Sequence, residues 1–189
     1  MRCFIAIPLS SETHKELSQI QSKLKETGAD VSWVKTDNIH LTLKFLGEVE
    51  ETKTKIISQE LRELVSKYTC FETCIGKLGT FPTLFNPRVI WIGISKNENK
   101  IIKLQQKIEE VMGPLGFEKE TRPFHPHLTL GRVRSKKNIQ KLIEKLKTLH
   151  LLQFKPVIVD RIILFQSILK PTGAEYTALD EFKLVVVRH

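Results

Sequence analysis

The sequence predicts an α+β fold in two lobes, each an antiparallel sheet with two helices on its outer face, with a groove between the lobes. Three observations carry this expectation. His40-Leu41-Thr42-Leu43 recurs letter for letter as His127-Leu128-Thr129-Leu130, 87 residues later. The same displacement lays Phe4-Ile5-Ala6-Ile7 on Trp91-Ile92-Gly93-Ile94, which keeps the pattern aromatic-Ile-small-Ile. Around both matches, strand-like and helix-like segments follow in the same order, the mark of a duplicated unit.

Residues 4–9 read as a short apolar strand. Residues 11–26 follow as a helix, with Ser10 or Ser11 as N-cap, Leu17, Ile20 and Leu24 at helical spacing, and Gly28 ending it. Residues 38–46 form the next strand. Residues 50–67 form a second helix whose buried stripe is Ile56, Ile57, Leu61 and Leu64, and residues 70–80 return as a strand. The second half repeats the order: strand 88–95, helix 98–112 with Asn97 as its cap, strand 127–133, helix 136–148, strand 156–166. A last strand spans 174–187. Turn chemistry falls at Phe81-Pro82-Thr83-Leu84-Phe85-Asn86-Pro87 and at Lys170-Pro171-Thr172-Gly173. No low-complexity linker intervenes. One domain over 1–189 is expected, with repeat halves at about 1–83 and 84–170.

The bulk numbers exclude several classes. At 189 residues the chain can bury one large core or two lobes sharing one. No apolar run is long enough to span a membrane, and the opening segment is too short for a signal peptide, so the cytoplasm is the expected location. Cys3, Cys70 and Cys74 are odd in number and lack zinc-type pairing, which argues against a disulfide framework or structural metal. Cys70 and Cys74 read instead as small apolar side chains on one strand face. The net charge of +9, from 30 basic against 21 acidic residues, favours a polyanionic partner. A solvated lysine-rich surface would give the same balance. No obligate protein partner is evident.

Alternation in a strand puts His40 and Thr42 on one face, and Leu41, Leu43 and Phe45 on the other. His127 and Thr129 separate from Leu128 and Leu130 in the same way. The leucine faces want the helices, so an imidazole and a hydroxyl from each lobe are left on the uncovered face. Two imidazoles across a groove suit in-line displacement at phosphorus: one takes a proton from water, the other delivers one to the departing oxygen. An ordinary imidazole pKa of about 6.5 keeps both forms accessible near neutrality. The threonine hydroxyls can donate to non-bridging phosphate oxygens, where charge builds. The scheme needs no metal and no other cofactor.

The residues that carry these motifs also carry a family likeness. Arg2-Cys3-Phe4-Ile5-Ala6-Ile7, Asn38-Ile39-His40-Leu41-Thr42-Leu43-Lys44-Phe45-Leu46-Gly47, Pro87-Arg88-Val89-Ile90-Trp91 and Phe124-His125-Pro126-His127-Leu128-Thr129-Leu130-Gly131-Arg132 resemble the 2H phosphoesterases. Within them the chain is similar, end to end, to the bacterial and archaeal RNA 2′,3′-cyclic phosphodiesterases, also called 2′-5′ RNA ligases. The resemblance implies a substrate of RNA with 2′,3′-cyclic phosphate ends, hydrolysed to a 2′-phosphate. It implies His40 as proton donor to the 3′ oxygen and His127 as proton acceptor from water; sequence symmetry alone would allow the reverse. It further implies that Thr42, Thr129 and Arg132 bind the phosphate, and that the groups run in reverse could join RNA ends through a 2′-5′ linkage. Strict alternation places Arg132 on the wrong face for this role. Either a bulge at Gly131 turns it into the groove, or it is a surface arginine lying over the helix layer.

Other residues leave alternatives open. His125 with His127 and His40 could form a three-histidine metal site. Phe45, Phe81, Phe85 and Phe124 could supply a base-stacking aromatic at the groove rim, although the parity of Phe45 points to the core. Lys44 shares parity with His40 and reads as a phosphate contact or a solvated lysine. His14, His150 and His189 read as surface residues, and Ser167 and Tyr176 receive no role. Competing functions are a 2H activity on a small cyclic phosphate or a 2′-5′ oligonucleotide, and a non-catalytic RNA-binding module.

Overall fold

The computed structural model describes residues 1–149, 154–171 and 173–186. In chain order the elements are β1 (Arg2–Ile7), α1 (Ser11–Lys25), β2 (Val31–Trp33), β3 (Leu41–Glu48), α2 (Glu51–Val65), β4 (Phe71–Thr83), β5 (Asn86–Lys96), α3 (Glu98–Met112), β6 (His127–Val133), α4 (Ile139–Thr148), β7 (Pro156–Val159), β8 (Arg161–Lys170) and β9 (Gly173–Lys183). His150, His189 and Val187 lie outside the described residues. Among those described, no helix is long and apolar enough to cross a membrane.

The strands form two antiparallel sheets, ordered β3-β1-β8-β9 and β2-β6-β5-β4-β7. Each sheet draws strands from both sequence halves. β4 leaves the first half to pair with β5, and β8 leaves the second to pair with β1. The helices cross as well. α3 packs near β3, and α2 packs on β9 and α3. On the other side α1 reaches β6 through Gln21, with α4 beside it. The α+β class with two helices per sheet is as expected, and the exchange ties the lobes into one core.

Local sequence accounts for the start of α1 but not for that of α3. Ser10 caps α1, its Oγ accepting from the Thr13 amide at 3.1 Å. Asn97 precedes α3 as expected but does not cap it with its side chain; its Nδ2 donates to the Glu72 carbonyl instead. In α2 the buried stripe is Ile57, Leu61, Leu64 and Val65, whereas Ile56 is half exposed, so the apolar face sits one position further round than read.

Three strand expectations need correction. The strand expected at 38–46 begins only at Leu41, because Thr36–Asn38 coil into a 3-10 turn. The strand expected at 156–166 is two strands broken at Asp160, and β7 and β8 enter different sheets. β2 went unread, since three residues are too few to display a period. The final strand stops at Lys183, after which Val185 bridges Thr69.

Candidate active site

Two bulges decide what faces the groove. In β3, Thr42 pairs with Ala6 and Phe45 with Phe4, while Leu43 and Leu46 have no partner on β1. Ala6 and Phe4 share a face of β1, so Thr42 and Phe45 share it too. In β6, Thr129 pairs with Trp91 and Arg132 with Val89, while Leu130 has no partner on β5. Val89 and Trp91 share a face, which carries Arg132 round to join Thr129. The extra residue is Leu130, one position before the expected site. Gly131 follows it where β2 presses close: a Cβ there would lie 2.7 Å from Val31 Cγ1 and 3.0 Å from Trp33 Cε3.

The first bulge overturns two expectations. Phe45, read as core, is 70% exposed on the helix-free face. Lys44, read as a groove or solvent residue, is 6% exposed on the helix side. There its Nζ donates to Glu109 Oε2 at 2.6 Å and to the Glu118 carbonyl at 2.8 Å. Glu109 is anchored in turn by Gln105 Nε2 at 3.0 Å. Parity fails at Lys44 and Phe45 because one unpaired residue, Leu43, inverts the side chains after it until Leu46 restores the register.

His40 lies immediately before β3, against an aromatic floor. Its ring stacks on Phe4 at 4.7 Å between centroids, with Phe165 at 6.0 Å and the Tyr176 edge at 5.1 Å. Burial among these rings pulls its pKa down to about 4; a hydrogen bond with the Asn38 carbonyl opposes this and the nearby His14 adds to it. His14 is not a free surface residue. It is half-buried, and its Nε2 donates to the Ile39 carbonyl at 3.0 Å. Tyr176 lies close enough to Arg132 and Arg2 for both to lower its pKa, although burial raises it overall.

His127 opens β6 in a matching way. Its Nδ1 is 2.6 Å from the His125 carbonyl. A carbonyl only accepts, so Nδ1 carries the proton and Nε2 is the free nitrogen. Asn38 stands in the same place relative to His40, two residues back, and its backbone favours the protonated ring against the larger effect of burial. Beneath His127 lie Phe81, edge-on at 5.2 Å, and Trp91 at 6.3 Å. Trp91 in turn lies across Gly79, where a Cβ would come within 2.3 Å of the indole.

The two motifs converge. Ile7, Ile94, Leu41 and Leu128, two pairs related by the repeat, line one small apolar cavity. His40 and His127 each lie one residue before a leucine of that lining. Thr42 and Thr129 are half-buried and Arg132 is exposed. His125 is exposed and contributes its carbonyl to His127. Among the described residues, no three His, Cys, Asp or Glu side chains group to hold a metal ion, so the three-histidine alternative is not formed. Phe81 belongs to the groove floor, while Phe85, at the hairpin tip, is 80% exposed. Tyr176 was left without a role by the sequence, because nothing linear places β9 beside His40.

Comparison with known proteins meets this geometry. The model of the 2′-5′ RNA ligase superfamily matches residues 9–168. An RNA 2′,3′-cyclic phosphodiesterase of Thermotoga maritima is 38% identical over 184 residues, covering 96% of this chain and 94% of that one. A protein of the same name from Methanothermobacter thermautotrophicus is 35% identical over 184 residues, covering 97% and 99%. Among solved structures, TT0787 of Thermus thermophilus superposes with a TM-score of 0.78 at 26% identity, covering 97% of this chain and 98% of that one. E. coli LigT complexed with 3′-AMP gives 0.74 at 26% identity, covering 97% of each. With paired His-x-Thr strands on the helix-free faces of a duplicated fold and relatives matched over nearly their whole length, this chain belongs to the 2′-5′ RNA ligase superfamily.

Proposed function

We propose that the protein hydrolyses RNA 2′,3′-cyclic phosphate ends to 2′-phosphates, with His40 and His127 as its acid and base. The observation that carries this reading is the matched pair of imidazoles, one opening each His-x-Thr strand against an aromatic floor. His127, with Nδ1 held by the His125 carbonyl, keeps Nε2 for proton transfer. His127 removes a proton from water as the water oxygen bonds to phosphorus; the bond from phosphorus to the 3′ oxygen breaks, and His40 protonates that oxygen. Thr42, Thr129 and Arg132 hold the non-bridging oxygens. With the 5′ hydroxyl of a second RNA strand in place of water, the same displacement of the 3′ oxygen forms a 2′-5′ linkage.

His40 is neutral in the free protein, with a pKa of about 4. As the donor it therefore takes up its proton beside the anionic phosphate, whose charge favours the imidazolium, and passes it to the departing oxygen. That same neutrality favours a second reading, in which His40 is the base and His127 the acid. Relatives bearing the name RNA 2′,3′-cyclic phosphodiesterase support the substrate class, as does the net charge of +9. The exposed ring of Phe45, on the His40 face, offers a stacking platform for a base. In this reading one two-lobed unit acts in the cytoplasm, with no cofactor and no protein partner.

The test is an RNA oligonucleotide ending in a 2′,3′-cyclic phosphate, incubated with the protein and EDTA, with the product identified. Conversion to a 2′-phosphate, lost in both His40→Ala and His127→Ala, is expected. Conversion that survives either substitution would sink the two-histidine scheme.

A further inference from the structure

A single buried amide ties the segment before His40 to the bulge of β6. Gln21, on α1, is 1% exposed. Its Nε2 donates to the carbonyls of Val34 and Leu130, each at 2.9 Å. Its Oε1 accepts from Thr36 Oγ1 at 3.3 Å, which fixes the amide with its donor end towards the two carbonyls. These partners are not equivalent pieces of core. Leu130 is the unpaired residue whose bulge turns Arg132 into the groove. Thr36 opens the 3-10 turn Thr36–Asn38, which ends two residues before His40.

Packing does not require an amide here. Leu17, Ile20 and Leu24 already supply the apolar face of α1, and a buried polar side chain is tolerated only when its hydrogen bonds are made. The other lobe has a counterpart. Lys44, beside the β3 bulge, meets Glu109 of α3, so each bulge engages a buried polar group from the first helix of the opposite half.

We propose that Gln21 is a positioning residue that holds the His40 turn and the Arg132 bulge at a fixed separation. The proposal rests on reading the groove as the cyclic-phosphate site. Gln21 does not touch substrate; it acts by setting where two groups that do will stand.

Gln21→Met keeps the volume and removes both donors and the acceptor. On RNA ending in a 2′,3′-cyclic phosphate, kcat/KM is expected to fall about 10- to 100-fold, the scale of a misplacement near 1 Å. Thr36→Val, which frees one end of the amide, should produce a smaller loss. Combined with Arg132→Ala, Gln21→Met should cost less than the product of the two separate losses, because part of its effect passes through Arg132. Backbone amide NMR should show displaced resonances both at Ile39–His40 and at Leu130–Arg132. A kcat/KM within about twofold of the parent, losses that multiply, or displacement at one segment alone would each overturn the proposal. If Gln21→Met does not fold, Thr36→Val carries the same comparisons. If the parent protein turns over no cyclic phosphate, it is the functional reading that fails, and the NMR comparison still decides the coupling.

Discussion

Phe45 and Arg132 occupy the same place in their two strands. Each lies five residues past a motif histidine, and each is turned onto the groove face by an unpaired leucine, Leu43 or Leu130. The duplication has thus kept the bulge and diverged in what it presents: an aromatic ring on one side, a guanidinium on the other. In the proposed reading an approximately symmetric groove thereby acquires a direction, with one rim suited to a base and the other to a phosphate.

This asymmetry separates the effects of two substitutions. Phe45→Ala should raise KM on an RNA end by about 5- to 100-fold, the equivalent of one stacked base. It should leave an abasic ribose 2′,3′-cyclic phosphate unaffected. Arg132→Ala should weaken both substrates by about 10- to 100-fold, since a charge-assisted hydrogen bond to phosphate is lost in each case. Steady-state kinetics on the two substrates decide the matter, and an equal Phe45→Ala effect on both would remove the stacking role.

The Lys44–Glu109 pair is buried on both sides, at 4% side-chain exposure each. Lys44→Met should destabilise the protein by about 3–5 kcal/mol, because it strands a carboxylate in the core. Adding Glu109→Gln should recover much of that loss, since the uncompensated charge is then gone. Urea unfolding of the single and double variants measures both effects. A Lys44→Met protein within about 1 kcal/mol of the parent would contradict the buried-charge account.

The legible part of this molecule was its periodicity. Helix stripes, the doubled His-Leu-Thr-Leu strand and the leucine faces follow from local spacing, and so did the α+β class with two helices on each sheet. What stayed hidden depends on pairing between distant strands. The parity rule misplaced Phe45 and Lys44 because a bulge is a property of two strands and leaves no mark on one. At Arg132 the face conflict with the expected role did suggest a bulge, with Gly131 as the clue. The exchange of β4 and β8, the arrival of Tyr176 beside His40, and the hydrogen bonds of Gln21 are long-range in the same sense. Gln21 even reads as an ordinary polar helix residue, since nothing in α1 announces a carbonyl 109 residues away.

The burial of His40 also makes folding stability depend on pH. Its folded-state pKa of about 4 lies below the ordinary imidazole value of about 6.5. Between those values the unfolded chain binds a proton that the folded chain refuses. The contribution is therefore intact above about pH 6.5, declines as pH falls, and is lost by about pH 4. Its full size is on the order of 3 kcal/mol, less whatever solvent at the half-buried ring screens. Urea midpoints at pH 7 and pH 4.5 should fall further in the parent than in His40→Gln, with carboxylate titration common to both. Equal falls would mean that the ring protonates without cost.

Which histidine gives the proton can be read from the leaving group. A ribose oxygen departs as a poor leaving group unless protonated, whereas p-nitrophenolate departs without help. The variant that lacks the acid should therefore lose about 10²- to 10⁴-fold on RNA 2′,3′-cyclic phosphate but within about tenfold on bis(p-nitrophenyl) phosphate. The variant that lacks the base should lose heavily on both, because the attacking water is the same. With His40 as donor, His40→Ala shows the contrast and His127→Ala does not. The opposite pattern assigns the base to His40, the role its neutral ring fills without a change of protonation. Equal losses on both substrates in both variants would mean that neither histidine protonates the leaving oxygen, and the acid would have to be sought among the other groove groups, with Tyr176 at the His40 edge the first to test.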